Sequence, residues 1–78
     1  SAQVVSAVVV EGNQRVDADT IRSYVRIRPG ERADPVRIDE ALKALYATGI
    51  FEDVQIRYAG GRLIVSVREA QVINRVVF

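Results

Sequence analysis

Asp34-Pro-Val-Arg-Ile-Asp-Glu-Ala-Leu-Lys-Ala-Leu-Tyr-Ala-Thr-Gly-Ile-Phe51 opens on a helix-start signal, closes on a helix-stop signal, and changes its hydrophobic period as it leaves. The Asp34 carboxylate suits a helix N-cap, and Pro35 suits the first helical position, where no amide hydrogen is needed. Ile38, Ala41, Leu42 and Leu45 recur at helical spacing and form one apolar stripe, while Arg37, Glu40 and Lys43 point elsewhere. Gly49 follows Thr48 where a left-handed closing residue is wanted. From Phe51 the run Phe-Glu-Asp-Val-Gln-Ile-Arg-Tyr58 takes up a period of two, which predicts a strand. A helix feeding directly into a strand is therefore the unit that the rest of the chain must cover.

Upstream, Val4-Val-Ser-Ala-Val-Val-Val10 is rich in β-branched residues and stops at Glu11-Gly-Asn, a turn signal. This predicts a first strand with Val8 and Val10 on the core face and Val5 and Val9 on the other. Asp17 and Asp19 then introduce a short helical pattern over 18–25, where their negative charge complements the helix dipole. Ile21, Tyr24 and Val25 are expected on its core face, with Arg22 and Arg26 toward solvent. Arg28-Pro-Gly-Glu31 has proline and glycine where a type II turn prefers them.

Downstream, Val54, Ile56 and Tyr58 alternate with Gln55 and Arg57, the pattern of a half-buried strand. Gly60-Gly61 separates this run from Leu63-Ile-Val-Ser-Val67 and predicts a tight hairpin, because both central turn residues need positive φ. Leu63, Val65 and Val67 fall on the core side, with Ile64 and Ser66 outside. Arg68-Glu-Ala-Gln breaks the pattern, and another strand-like run, residues 72–78, finds no partner in the chain. The predicted fold is α+β in the order β-α-α-β-β: a three-stranded mixed sheet with two antiparallel helices packed on one face. With the third strand central, the second lies at an edge, where an extended chain can add to it. Val54, Gln55, Ile56, Arg57 and Tyr58 are thus the candidate protein-binding edge, and a proline at Gln55 or Arg57, whichever amide faces outward, is expected to weaken binding.

The composition narrows the function classes. Seventy-eight residues allow one domain with one small core, 49% are hydrophobic, and the net charge is +1. That balance lacks the basic excess of a nucleic-acid or membrane-surface binder. With no His and no Cys, the usual general bases, thiol nucleophiles and transition-metal ligands are missing, and no cofactor is expected. The carboxylate pairs Asp17/Asp19 and Glu52/Asp53 read as a helix start and a strand entry, not as catalytic pairs. Gly60-Gly61 joins two strands and opens no helix, so it is not a phosphate loop. Arg26, Arg28, Glu31 and Arg32 read as a solvated loop between helices. A KH-like nucleic-acid module shares the strand-helix-helix-strand core, but its GXXG loop is represented here by Gly30 alone. No segment approaches the roughly 20 apolar residues of a membrane span. The first residues show no charged region followed by an apolar run, so any secretion signal is expected to have preceded Ser1.

Three blocks, Glu11-Gly-Asn-Gln-Arg-Val16, Ala41-Leu-Lys-Ala-Leu-Tyr-Ala-Thr-Gly-Ile-Phe-Glu-Asp-Val54 and Leu63-Ile-Val-Ser-Val-Arg-Glu69, resemble the POTRA (polypeptide-transport-associated) domain, in particular the first such domain of an outer-membrane β-barrel assembly factor. The resemblance covers nearly the whole chain. It implies residues 1–71 as one POTRA domain and residues 72–78 as the truncated first strand of a following one. One departure is Gln71, where relatives often carry proline, and it bears on the link between domains. The resemblance further implies a location on the periplasmic side of a bacterial outer membrane, with the next POTRA domain and a membrane β-barrel in the same chain, the domain itself not being embedded. The partners it implies are unfolded outer-membrane proteins, periplasmic chaperones and lipoproteins of the assembly complex. A two-partner secretion transporter or a division protein is the alternative setting within the same family. Because a lone strand is not stable, residues 72–78 are expected either to be mobile or to pair with an edge on a second copy, the latter giving tail-mediated self-association and being favoured at high concentration.

Overall fold

A computed structural model describes residues 4–70, in the element order β1 (Ala7–Glu11), α1 (Ala18–Val25), α2 (Pro35–Ala47), β2 (Phe51–Ala59) and β3 (Arg62–Glu69). The expected run at 72–78 lies outside the described residues. The three strands form one mixed sheet in the order β1-β3-β2, with β1 parallel and β2 antiparallel to the central β3. The predicted architecture and strand directions are those observed.

Local chemistry accounts for most element boundaries. Asp34 accepts a hydrogen bond from the Val36 amide at 2.9 Å and Pro35 begins α2, so the capping signal works as written. At the other end Thr48 caps the helix and Gly49 takes φ 74°, donating its amide to the Tyr46 carbonyl at 3.1 Å. The type II turn is present: Gly30 has φ 93°, and the Glu31 amide donates to the Arg28 carbonyl at 3.0 Å. Helix α1 ends differently, on Arg26 in the left-handed region at φ 61°, which redirects the chain so that Ile27 enters the core.

The core lies between the helix layer and one face of the sheet. Ile21, Val25 and Ile27 meet Ala41 and Leu45 of α2 and Val54, Leu63, Val65 and Val67 of the sheet in one buried cluster. Ile38 and Leu42 pack against it from the predicted stripe, and Val8 and Val10 do so from β1. The last two are in register with Leu63 and Val65, whose face they share.

Three expectations need correction. Val5, assigned to the outer face, is fully buried, at 0% exposure. A bend at Ser6 breaks the alternation, so Val5 and Val8 both reach the core despite opposite parity. Val5 also holds the inter-helix turn, donating to the Glu31 carbonyl at 2.8 Å and accepting from the Gly30 amide at 2.7 Å. Tyr24, expected in the core, is 37% exposed and lines a cleft between the helices. Eight residues make a short helix whose buried face is filled by Ile21 and Val25, one turn apart. Finally, the alternation of β2 is not continuous from Phe51. Phe51 is opposite Glu69 and Asp53 opposite Arg68, a bulge that leaves Glu52 as the extra residue and lets Phe51 and Val54 both be buried.

Candidate functional site

Strand β2 pairs with β3 along one side only among the described residues, which places Val54, Gln55, Ile56, Arg57 and Tyr58 on an edge. Which of their backbone groups face outward follows from the hairpin. Gly60 and Gly61 have φ 58° and 80°, a two-residue turn, and in such a hairpin the flanking pair, Ala59 and Arg62, exchanges hydrogen bonds. Bonded and non-bonded pairs then alternate. Arg57 with Ile64 and Gln55 with Ser66 are bonded pairs, so their amides and carbonyls are used inside the sheet. Val54, Ile56 and Tyr58 therefore turn both backbone groups away from β3. Neither amide singled out for proline substitution, Gln55 or Arg57, faces outward. The outward set belongs to the residues whose side chains face the helix layer.

A side chain confirms this phase independently. The Tyr46 hydroxyl, carried to the edge by the last turn of α2, accepts from the Val54 amide at 2.9 Å. Its own proton has two acceptors in reach, the Asp53 carboxylate at 3.2 Å and the Val54 carbonyl at 3.3 Å. An amide satisfied by a hydroxyl of the helix layer is not part of the β2–β3 ladder. The edge thus divides into a covered end, with the bulge at Glu52 and Tyr46 over Val54, and an open end, where the outward groups of Ile56 and Tyr58 have no backbone partner among the described residues. The Tyr58 side chain is occupied at its tip, its hydroxyl donating to the Val4 carbonyl at 3.0 Å. Gln55 and Arg57 point to the exposed face, while Ile56 and Tyr58 are half-buried.

The remaining polar clusters resolve into structural roles. Asp19 is ion-paired with Arg22, and Glu52 with Arg68 at 3.4 Å. Asp17 occupies the N-cap position of α1 without a side-chain capping bond. The cleft between the helices is lined by Tyr24, Arg26, Arg37 and Glu40, and it is crossed by an Arg37–Glu31 ion pair at 3.4 Å. Among the described residues no group of carboxylates is gathered as a metal site would require.

Two polar residues that sequence reasoning passed over prove central to the architecture. Glu69, read as part of a break in apolar pattern, sends its carboxylate into the loop after β1, where the amides of Gln14, Arg15 and Val16 all donate to it, Arg15 at 2.9 Å and Val16 at 3.1 Å. The backbone donors, Gln14 foremost, hold its carboxyl below the ordinary glutamate range against the cost of desolvation. Tyr46 sits beside the apolar stripe of α2, four residues after Leu42, and a hydroxyl-bearing aromatic at that flank near a helix end was the signal for an edge contact.

A family model described as POTRA, surface antigen variable number repeat, matches residues 3–70. The outer membrane protein assembly factor BamA of Neisseria meningitidis serogroup B is 35% identical over 65 residues, which cover 83% of this chain and 8% of that protein. Among solved structures, the N-terminal domain of Omp85 from Thermosynechococcus elongatus superposes with a TM-score of 0.76 at 26% identity, covering 88% of this chain and 31% of that one. POTRA1-3 of the periplasmic domain of Omp85 from Anabaena gives 0.74 at 20% identity over 94% of this chain and 32% of that one, a likeness of fold. The chain thus spans a small part of the longer proteins it matches.

Proposed function

The chain belongs to the POTRA family, and on that premise we propose that it is a non-enzymatic protein-interaction domain on the periplasmic side of the outer membrane, part of a β-barrel assembly factor, which receives unfolded outer-membrane proteins by adding their extended segments to β2. Residues 72–78 open the next domain of that longer protein, and chaperones and lipoproteins of the assembly complex are further partners. The likeness to an assembly factor supports this setting over a secretion transporter or a division protein.

The observation that carries the reading is the open end of the β2 edge, where Ile56 and Tyr58 turn outward amides and carbonyls that have no backbone partner among the described residues. Main-chain pairing makes little demand on client sequence, which suits a receptor for many different β-rich chains. The test compares two prolines. Ile56→Pro removes an outward donor and no β2–β3 ladder donor, at the cost of a half-buried side chain packed on the core, so under conditions where the domain remains folded it weakens binding of an extended client peptide. Gln55→Pro removes a ladder donor opposite Ser66 and lowers stability itself. Undiminished peptide binding by folded Ile56→Pro overturns the reading.

A further inference from the structure

Resting on the strand-addition reading, we propose that Tyr46 sets the register and extent of the added strand by occupying one rung of the edge. An edge strand offers an incoming chain one donor and one acceptor at every second residue, here Val54, Ile56 and Tyr58. The Tyr46 hydroxyl takes the Val54 amide at 2.9 Å and stands 3.3 Å from the Val54 carbonyl, with its proton shared between that carbonyl and the Asp53 carboxylate at 3.2 Å. One phenol thus fills the donor side of a neighbouring strand's contact and obstructs the acceptor side. Immediately beyond, the bulge between Phe51 and Asp53 disrupts the regular spacing that a continuing strand would need. The incoming chain is thereby confined to the hairpin-proximal rungs at Ile56 and Tyr58. It cannot slide along β2 by a further rung without displacing the phenol.

The arrangement also shields the edge. A sheet edge open along its whole length invites uncontrolled pairing, and natural sheets shorten or cover such edges. Tyr46 covers one of its three rungs with a contact that can be broken, since the residue is 45% exposed and sits at the end of its helix. A longer client strand could therefore exchange its own backbone bonds for those of the phenol. Tyr46 is thus a specificity-determining residue that favours short initial pairing near the hairpin.

The test uses Tyr46→Phe, which keeps the ring and removes the hydroxyl, with the whole chain and a soluble peptide of alternating valine and threonine bearing terminal lysines. In the free proteins, hydrogen exchange at the Val54 amide is protected in the parent and fast in the variant, while Gln55 stays protected in both. On adding peptide, amide protection in the parent covers Ile56 and Tyr58. In Tyr46→Phe it extends to Val54, and affinity rises roughly tenfold for one added pair of backbone hydrogen bonds. If the peptide protects the same rungs with the same affinity in both proteins, Tyr46 does not set the register, although strand addition itself stands. If β2 is unprotected by peptide in both, strand addition fails and the role of Tyr46 fails with it.

Discussion

Replacing Leu45 by alanine tests the core that positions the edge strand. Leu45 is fully buried, at 0% exposure, and it belongs to the cluster that joins Ile21 of α1 to Val54 of β2 and Leu63 of β3. The substitution withdraws apolar groups equivalent to about three methylenes, roughly 2.4 kcal/mol of transfer free energy. A further ~1 kcal/mol comes from the cavity, because walls formed by two helices and a sheet relax only in part. The expected loss is about 3 to 4 kcal/mol, a large share of the roughly 4 to 12 kcal/mol usual for a domain of this size. With a urea m-value near 1 kcal/mol/M, the unfolding midpoint falls by about 3 M. Leu42→Ala is the control, since Leu42 is only partly buried on the same helix face, and it should cost about half as much. An equilibrium urea melt in which Leu45→Ala matches the parent, or costs no more than Leu42→Ala, refutes the packing described.

Gly12 and Gly49 share positive φ, at 83° and 74°, but a methyl at Gly12 would stand 2.1 Å from the Val67 carbonyl oxygen whereas nothing lies within 4 Å of one at Gly49. Alanine should therefore cost about 1 to 2 kcal/mol at Gly49 and roughly 2 to 4 kcal/mol at Gly12, and thermal melts giving equal losses would contradict the close approach. Because the Glu69 carboxyl is lowered in the folded chain, its contribution is fully present above the ordinary glutamate range and disappears as pH falls through the folded value. Glu69→Gln should thus destabilise near neutral pH and converge on the parent in acid; a constant gap between their urea midpoints from about pH 7 to about pH 3 would contradict the role of the loop amides. For the proposed tail pairing, light scattering over a concentration series should show more self-association for the full chain than for residues 1–71, and equal monomer fractions would remove it.

Features written in local chemistry were legible in the sequence. Asp34 and Pro35 start α2 and Gly49 ends it; Gly60-Gly61 makes the tight hairpin; Pro29 and Gly30 make the type II turn. Each depends on residues adjacent in the chain. The parity of Leu63, Val65 and Val67 was readable for the same reason, since β3 runs without interruption. What could not be read depends on where distant segments meet. Val5 is buried because the Ser6 bend brings its segment to the inter-helix turn, and the alternating pattern carries no mark of a bend. The bulge at Glu52 is set by the register against β3. The edge was predicted correctly as a strand, but its outward phase required the hairpin pairing, and its covered end required Tyr46 to reach across from α2. The hydrophobic alternation assigns side chains to faces and says nothing of which edge each amide addresses until one bonded pair is known.

The most direct measurement of the central claim is a residue-resolved NMR titration of backbone amides with an unfolded outer-membrane-protein segment. Strand addition predicts that the Ile56 and Tyr58 amides shift and gain protection from hydrogen exchange, while the Gln55 and Arg57 amides, already bonded to β3, keep the protection they have. Perturbations confined to the cleft lined by Tyr24, Arg26, Arg37 and Glu40, with no change in protection along β2, would contradict it.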